Sequence, residues 1–232
     1  MASAVPTLLW LSCLAGLAPG SDAVGFLCQP AYSTSLCLRT PATPYYPQPG
    51  DLMFCTDYTV FWTVTHNWAG AGHPHHSGIV VARCDGRIAV MEAGPYDTLH
   101  IRVLDIGPHL EKYTEIGEPI WIRQRRCPLT PEQCAALTAF ALAQDGKRFA
   151  LIRQGAQLTP FRVRGSWRTE YVGKSHPNRC SYWCSELVTE SLVAAGLLDR
   201  SIARPAATYP SYLFFDCSKN RYLNEHLNLS AE

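Results

Sequence analysis

The chain has no excess of charge of either sign, no run of apolar residues long enough to cross a bilayer, and no internal repeat. Twenty Lys and Arg against 19 Asp and Glu leave a net charge of +1, so no global field gathers nucleic acid or an anionic surface. Nucleic acid is not expected as a partner, and any charged partner must be met locally. A bilayer needs roughly 18 to 20 consecutive apolar residues, and no segment reaches that length, so no stable membrane span is expected. Cys-x-x-Cys is missing as well, which removes the usual structural zinc knuckle.

The longest apolar stretch is Leu8 to Leu17, followed by Ala18-Pro19-Gly20-Ser21-Asp22-Ala23. A short apolar core ending in small residues has the form of a secretory signal peptide, although no basic side chain precedes it. Residues 1–23 are read as that leader, and the protein is expected to be secreted or periplasmic. Nine cysteines then remain. With Cys184 set aside the other eight can pair in about 105 ways in an oxidising compartment, and Cys28/Cys37 and Cys127/Cys134 are close enough in sequence to form local bridges.

Residues 24–49, rich in Pro, Ser, Thr and Tyr without periodicity, read as an arm packed on one domain spanning 50–232. Gly50-Asp51 is a turn signal before a short buried strand at Leu52-Met53-Phe54. Two β-branched runs, Ser77 to Ala82 and Ile88 to Ala93, flank Cys84-Asp85-Gly86-Arg87, the pattern of a hairpin. Leu99 to Leu104 and Pro119 to Arg123 are further strands, which makes 50–125 a mostly antiparallel β-unit. Thr130-Pro131-Glu132-Gln133 opens a helix with a capping box and proline at its first position, ending near Asp145-Gly146. Phe149 to Arg179 reads as irregular and basic, a candidate substrate wall. A second helix runs from about Cys184 to Ala195 and stops at Gly196. The aromatic segment Asp57 to Gly72 reads as a loop overhanging the cleft. The fold class expected is α+β.

Two segments carry the chemistry. In Cys184-Ser185-Glu186-Leu187-Val188 a cysteine stands at a helix start, where the macrodipole favours its thiolate. In His76-Ser77-Gly78-Ile79-Val80-Val81 a histidine stands at a strand start, held by the buried run that follows. A thiolate beside an imidazole is the working pair of nucleophilic acyl transfer, so Cys184 is the candidate nucleophile and His76 the candidate base. Glu92 lies on the strand paired to that of His76, inside an apolar stretch. A buried carboxylate there needs a cation or donor, and orienting the imidazole would supply one. His73-Pro74-His75-His76 is dense enough to suggest a metal, but neighbours on a strand point to opposite faces, so no metal is assigned. No cofactor is called for.

Those segments, with Gly50-Asp51-Leu52-Met53-Phe54 and Tyr209-Pro210-Ser211-Tyr212-Leu213, resemble the permuted papain-like hydrolases of the YiiX/YebB type, relatives of the NlpC-type cell-wall peptidases. The resemblance implies a circularly permuted papain-like fold in which the antiparallel β-unit with the histidine precedes the helix with the nucleophile. It implies a cysteine amidase or peptidase using Cys184, His76 and Glu92 on a peptide or acyl-amide substrate, with peptidoglycan stem peptides among the candidates. The side-chain amide that completes the papain oxyanion hole maps onto no residue. Lipid acyl hydrolysis or transfer, as in lecithin:retinol acyltransferase-like relatives, remains open, and so does a silent binding module of the same fold.

Overall fold

The computed structural model describes residues 24–33, 38–56, 60–95, 98–163, 166–215 and 223–231. The expected leader lies outside them, as do Cys37 and Cys217, so the Cys28/Cys37 pairing falls there too. Among the described residues ten strands are formed: β1 (Val24–Ser33), β2 (Leu38–Tyr45), β3 (Leu52–Cys55), β4 (His76–Ala82), β5 (Ile88–Ala93), β6 (Ile101–Asp105), β7 (Ile120–Arg125), β8 (Arg148–Phe149), β9 (Ser181–Tyr182) and β10 (Leu223–Ala231). The α-helices are α1 (Val60–Ala69), α2 (Ile106–Glu115), α3 (Pro131–Gln144), α4 (Leu151–Ala156), α5 (Ser166–Tyr171), α6 (Cys184–Ala194) and α7 (Pro210–Phe215). The fold is α+β, with one sheet in the order β2-β1-β10-β7-β3-β4-β5-β6. Every neighbouring pair in it is antiparallel.

The side-chain period of two sorts the central strands onto two cores. Leu52, Phe54, Ile79, Val81, Ala89, Met91 and Ala93 face one way, against Leu137 and Ala141 of α3, Leu187 and Leu192 of α6, and Leu213 of α7. Met53, Cys55, Val80, Val90, Ile120 and Ile122 face the other, against Ile106, Leu110 and Tyr113 of α2. The helix that supplies the candidate nucleophile and the helix that will prove to support the base thus lie on opposite faces.

Three local expectations hold closely. Thr130 caps α3 through the Gln133 N–H at 3.3 Å, and the Gln133 side chain accepts the Thr130 N–H at 3.0 Å. The Asp-Gly turn joins β4 to β5, with Gly86 in the left-handed region at φ +83. Gly50, at φ +91, lets the chain pass where a Cβ would sit 2.4 Å from Arg125 Cδ. Next to it Asp51 is buried and accepts hydrogen bonds from Tyr45 Oη, from the Gln48 N–H and from the Arg125 N–H. Burial, opposed by those donors, still pushes its carboxyl up to about 7.

Other expectations are corrected. The residues of the arm form two strands, β1 paired to β2 and to β10, so its polar composition is that of a sheet flank. The aromatic segment from 57 to 72 contains α1, whose β-branched Val and Thr are weak helix formers. Helix α2 was concealed by Gly107-Pro108, which sit in the first turn where the N–H groups have no intrahelical partner, so proline costs little there. The span 149–179 contains β8, α4 and α5. Cys127 and Cys134 are both free thiols, Cys134 on the buried face of α3 and Cys127 exposed, so they do not bridge. Among the described residues no helix is long and apolar enough to cross a membrane.

The basic run before α6 is not a substrate wall throughout. Arg153 forks onto the fully buried carboxylate of Glu186, with Nη1 to Oε1 at 2.7 Å and Nη2 to Oε2 at 2.9 Å, and Arg179 Nε lies 3.1 Å from Oε1. These pairs tie α4 and the residues before β9 to the first turn of α6. Removing one partner of a buried pair strands the other charge, a loss of about 3 kcal/mol or more. Because Arg179 stays 3.1 Å from Glu186, Arg153→Met should lower the stability to chemical denaturation by less than that, and adding Glu186→Met should restore part of it. A double variant no more stable than Arg153→Met would show that the ion pair is not what holds α4 down.

Candidate active site

The structure brings Cys184, His76 and Glu92 together. His76 opens β4 and Cys184 opens α6, and the imidazole and the thiol lie close enough that each shifts the other's pKa. The His76 Nε2 lies 3.0 Å from Glu92 Oε2, which leaves Nδ1 for the sulfur. The thiol also lies 3.9 Å from the His75 carbonyl oxygen. Cys184 is 8% exposed and the His76 side chain 19%, so the pair is shielded but reachable.

Burial opposes a charge on either group, and the pair overcomes it mutually. The imidazole beside Cys184, with the Ser77 and Ser185 N–H groups, holds its thiol below the ordinary value. The thiolate and Glu92 in turn hold His76 well above its ordinary value. Both shifts favour a thiolate–imidazolium pair.

Glu92 is where the sequence was least complete. Its carboxylate has no exposed surface and takes three hydrogen-bonding partners: His76 Nε2, His109 Nε2 at 2.8 Å from Oε1, and Tyr113 Oη at 2.9 Å from Oε2. Burial alone would raise its pKa, yet His109 first and His76 second draw it well below the usual carboxylate range. His109 and Tyr113 both come from α2, four residues apart and so on one helix face. That spacing was a readable signal, but only once the segment was known to be helical.

Gly78 explains the third position of the His-Ser-Gly motif. It is paired with Glu92 across the β4–β5 ladder, and a Cβ on it would fall 2.7 Å from Glu92 Cγ and 3.0 Å from Oε1. The carboxylate reaches His76 by lying over a residue with no side chain.

Gln154 is a third residue, after His109 and Tyr113, that the sequence did not reveal. It extends from α4 into the space beside Cys184, and its buried side-chain oxygen has no hydrogen-bond partner among the described residues. Two cavities meet at the thiol. The larger, about 450 Å³, is lined by Cys55, His76, Leu99, Lys112, Tyr113 and Glu118 among others. The smaller, about 160 Å³, is bounded by Ala69, Ala71, Gly155, Leu158, Trp183 and Pro210. His66, His75, Leu151, Gln154 and Cys184 line both. Thus α1, expected as a loop, does reach the cleft.

The imidazoles before β4 do not converge. His75 stacks between His66 and His73, with ring centroids 4.4 and 4.1 Å away, while His76 turns to Glu92. Among the described residues no three His, Cys, Asp or Glu are grouped to hold a metal ion.

No family model and no curated protein matches the chain. Among solved structures it is similar to one described as metalloprotein yiiX from Escherichia coli O157:H7, DUF1105, at 18% identity and a TM-score of 0.43, over 81% of this chain and 98% of that one.

The ion pair makes a pH-dependent prediction. Only the thiolate is alkylated, and the Cys184 pKa is lowered, so the midpoint of its alkylation by iodoacetamide should lie below the free-thiol value of about 8.5. Glu92→Gln weakens the imidazolium and should move that midpoint upward, and His76→Ala should move it further. An unchanged midpoint in His76→Ala, read by mass spectrometry across pH 4 to 10, would remove the ion pair.

Proposed function

We propose that this protein is a cysteine-dependent amidase or peptidase of circularly permuted papain-like design, with Cys184 as nucleophile, His76 as acid and base, and Glu92 as the group that orients the imidazole. The observation that carries the reading is the run from a thiol at a helix start, through the His76 imidazole beside it, to a fully buried Glu92 hydrogen-bonded to that ring. Orienting carboxylate, imidazole and nucleophile in sequence is the arrangement acyl transfer requires.

In the first step the Cys184 thiolate adds to the carbonyl carbon of the substrate, and the electron pair moves onto its oxygen. The backbone N–H of Cys184, at the α6 start, and the amide of Gln154 are the donors available to that oxyanion. Collapse expels the leaving amine, which takes its proton from the His76 imidazolium. The thioester left on Cys184 is then attacked by water, with neutral His76 drawing the proton, and collapse breaks the C–S bond to release the carboxylic acid and restore the Cys184 thiolate beside the His76 imidazolium. Glu92, held by His109 and Tyr113, keeps the ring turned so that Nδ1 stays on the sulfur. By resemblance, a peptide or acyl-amide such as a peptidoglycan stem peptide is the proposed substrate, met after export of the chain.

The test pairs labelling with products. A thiol-directed electrophile should label Cys184 in preference to the other thiols, and incubation with muropeptides and with acyl lipids, analysed by mass spectrometry, should yield peptide fragments from the former. Release of fatty acid alone would favour the lipid reading, and an unreactive Cys184 the silent module. Cys184→Ser should retain the fold by circular dichroism and lose turnover, since a hydroxyl lies far from ionising at neutral pH. Glu92→Gln should lower kcat less than His76→Ala does. Gln154→Ala should lower it by about 10² to 10³ with KM nearly unchanged, the loss expected when one oxyanion donor is removed.

A further inference from the structure

The two cavities at Cys184 are unequal in their relation to the proton donor, and this decides which half of a substrate each receives. His76 lines the larger cavity and not the smaller. The leaving group must be protonated by His76 as the bond breaks, so it occupies the larger one, whose wall includes Lys112 and Glu118. The carbonyl carbon sits at the sulfur, and its remaining substituent is directed to the other side, toward the start of α6. There the smaller cavity opens between α1, α4 and the segment before α7, with Trp183 and Ser185 in its wall and, among the described residues, no Asp, Glu, Lys or Arg.

We infer that the smaller cavity is the acyl-side specificity pocket and takes a short, unbranched or singly branched aliphatic group. The inference rests on the hydrolase reading above and adds the substrate class. The volume of about 160 Å³, at roughly 30 Å³ for each water-sized group in a condensed phase, holds about five heavy atoms. That suits an aliphatic amino-acid side chain or a butyryl to hexanoyl chain, and a longer acyl tail would extend past its mouth and gain nothing further from it. Gly155 and Leu158 set its size from α4 and the residues after it. A Cβ added to Gly155 meets nothing within 4 Å, so a larger residue there enters open space without displacing the fold.

Alkyl chloromethyl ketones test this independently of any natural substrate. The Cys184 thiolate displaces chloride, a C–S bond replaces the C–Cl bond, and the alkyl group on the far side of the carbonyl samples the acyl pocket. With methyl, n-propyl, n-pentyl and n-nonyl chains, the second-order rate of adduct formation at Cys184, read by peptide mapping, should rise about fourfold per methylene up to propyl or pentyl, the worth of burying each. It should rise no further for nonyl. Gly155→Leu should lower the rates for propyl and pentyl by about tenfold or more, as expected when several buried methylenes are excluded, and leave methyl within about twofold. Leu158→Ala should move the optimum to longer chains. Rates independent of chain length, a maximum at nonyl, or equal slowing of every chain by Gly155→Leu would overturn the assignment while leaving the hydrolase reading standing. No adduct at Cys184 with any ketone would overturn both.

Discussion

Glu92 has no contact with solvent, and an ion in such a place costs several kcal/mol unless hydrogen bonds and opposite charge compensate it. The molecule meets that demand from two directions, His76 at the start of β4 and His109 with Tyr113 on α2. The position of α2 against the sheet is therefore electrostatically constrained as well as packed. Its apolar residues Ile106 and Leu110 join the core on that face, but apolar contact alone would tolerate a small shift that the two short polar contacts from His109 and Tyr113 do not. A rigid Glu92 fixes the His76 ring, and a fixed ring gives the thiol across from it a defined partner.

A similar device works on the other face. Glu186, buried in the first turn of α6, takes a two-pronged contact from Arg153 and a third from Arg179. Arg153 is the neighbour of Gln154 on α4, and Leu151 and Gly155 of the same helix line the cleft. The ion pair thus holds a six-residue helix, too short to be stable by itself, against the helix that bears the nucleophile. A run of basic side chains next to a reactive cysteine invites a substrate-binding role, but the chain uses two of its members to neutralise a carboxylate of its own.

What the sequence made legible was whatever depends on local period and local capping. Unbroken apolar runs along Leu52 to Cys55, Ile79 to Ala82 and Ile88 to Met91 mark strands because both faces of the sheet are covered, and the Thr130 box and Gly196 mark helix ends because those groups satisfy or relieve backbone at one place. Cys184 and His76 were visible for the same reason, each standing at the start of a well-marked element. His109, Tyr113 and Gln154 were not. Each lies on a helix whose own sequence argues against one, Gly107-Pro108 in α2 and a glycine within the single turn-and-a-half of α4, and these helices are held by tertiary contact. The bridge expected between Cys127 and Cys134 failed on direction: seven residues apart is close in sequence, but α3 turns one thiol inward while the other stays at the surface.

The register of β4 against β5 joins these levels. Glu92 reaches His76 because it is paired with Gly78, and a slip of one residue would turn its side chain to the opposite face, toward α6 and away from α2. That register is set at the far end of the hairpin. Arg83 N–H bonds the Arg87 carbonyl at 2.8 Å, Gly86 N–H bonds the Arg83 carbonyl at 3.0 Å, and Gly86 supplies the positive φ that a three-residue connection needs. Arg83 and Arg87 then both engage Asp105 of β6, at 2.9 and 2.8 Å, which locks the neighbouring strand to the same turn. Exposed ion pairs of this kind contribute little to stability singly, but here their consequence is positional. An error of one residue at the turn would be carried along the whole ladder and would reach the site as a carboxylate facing the wrong core.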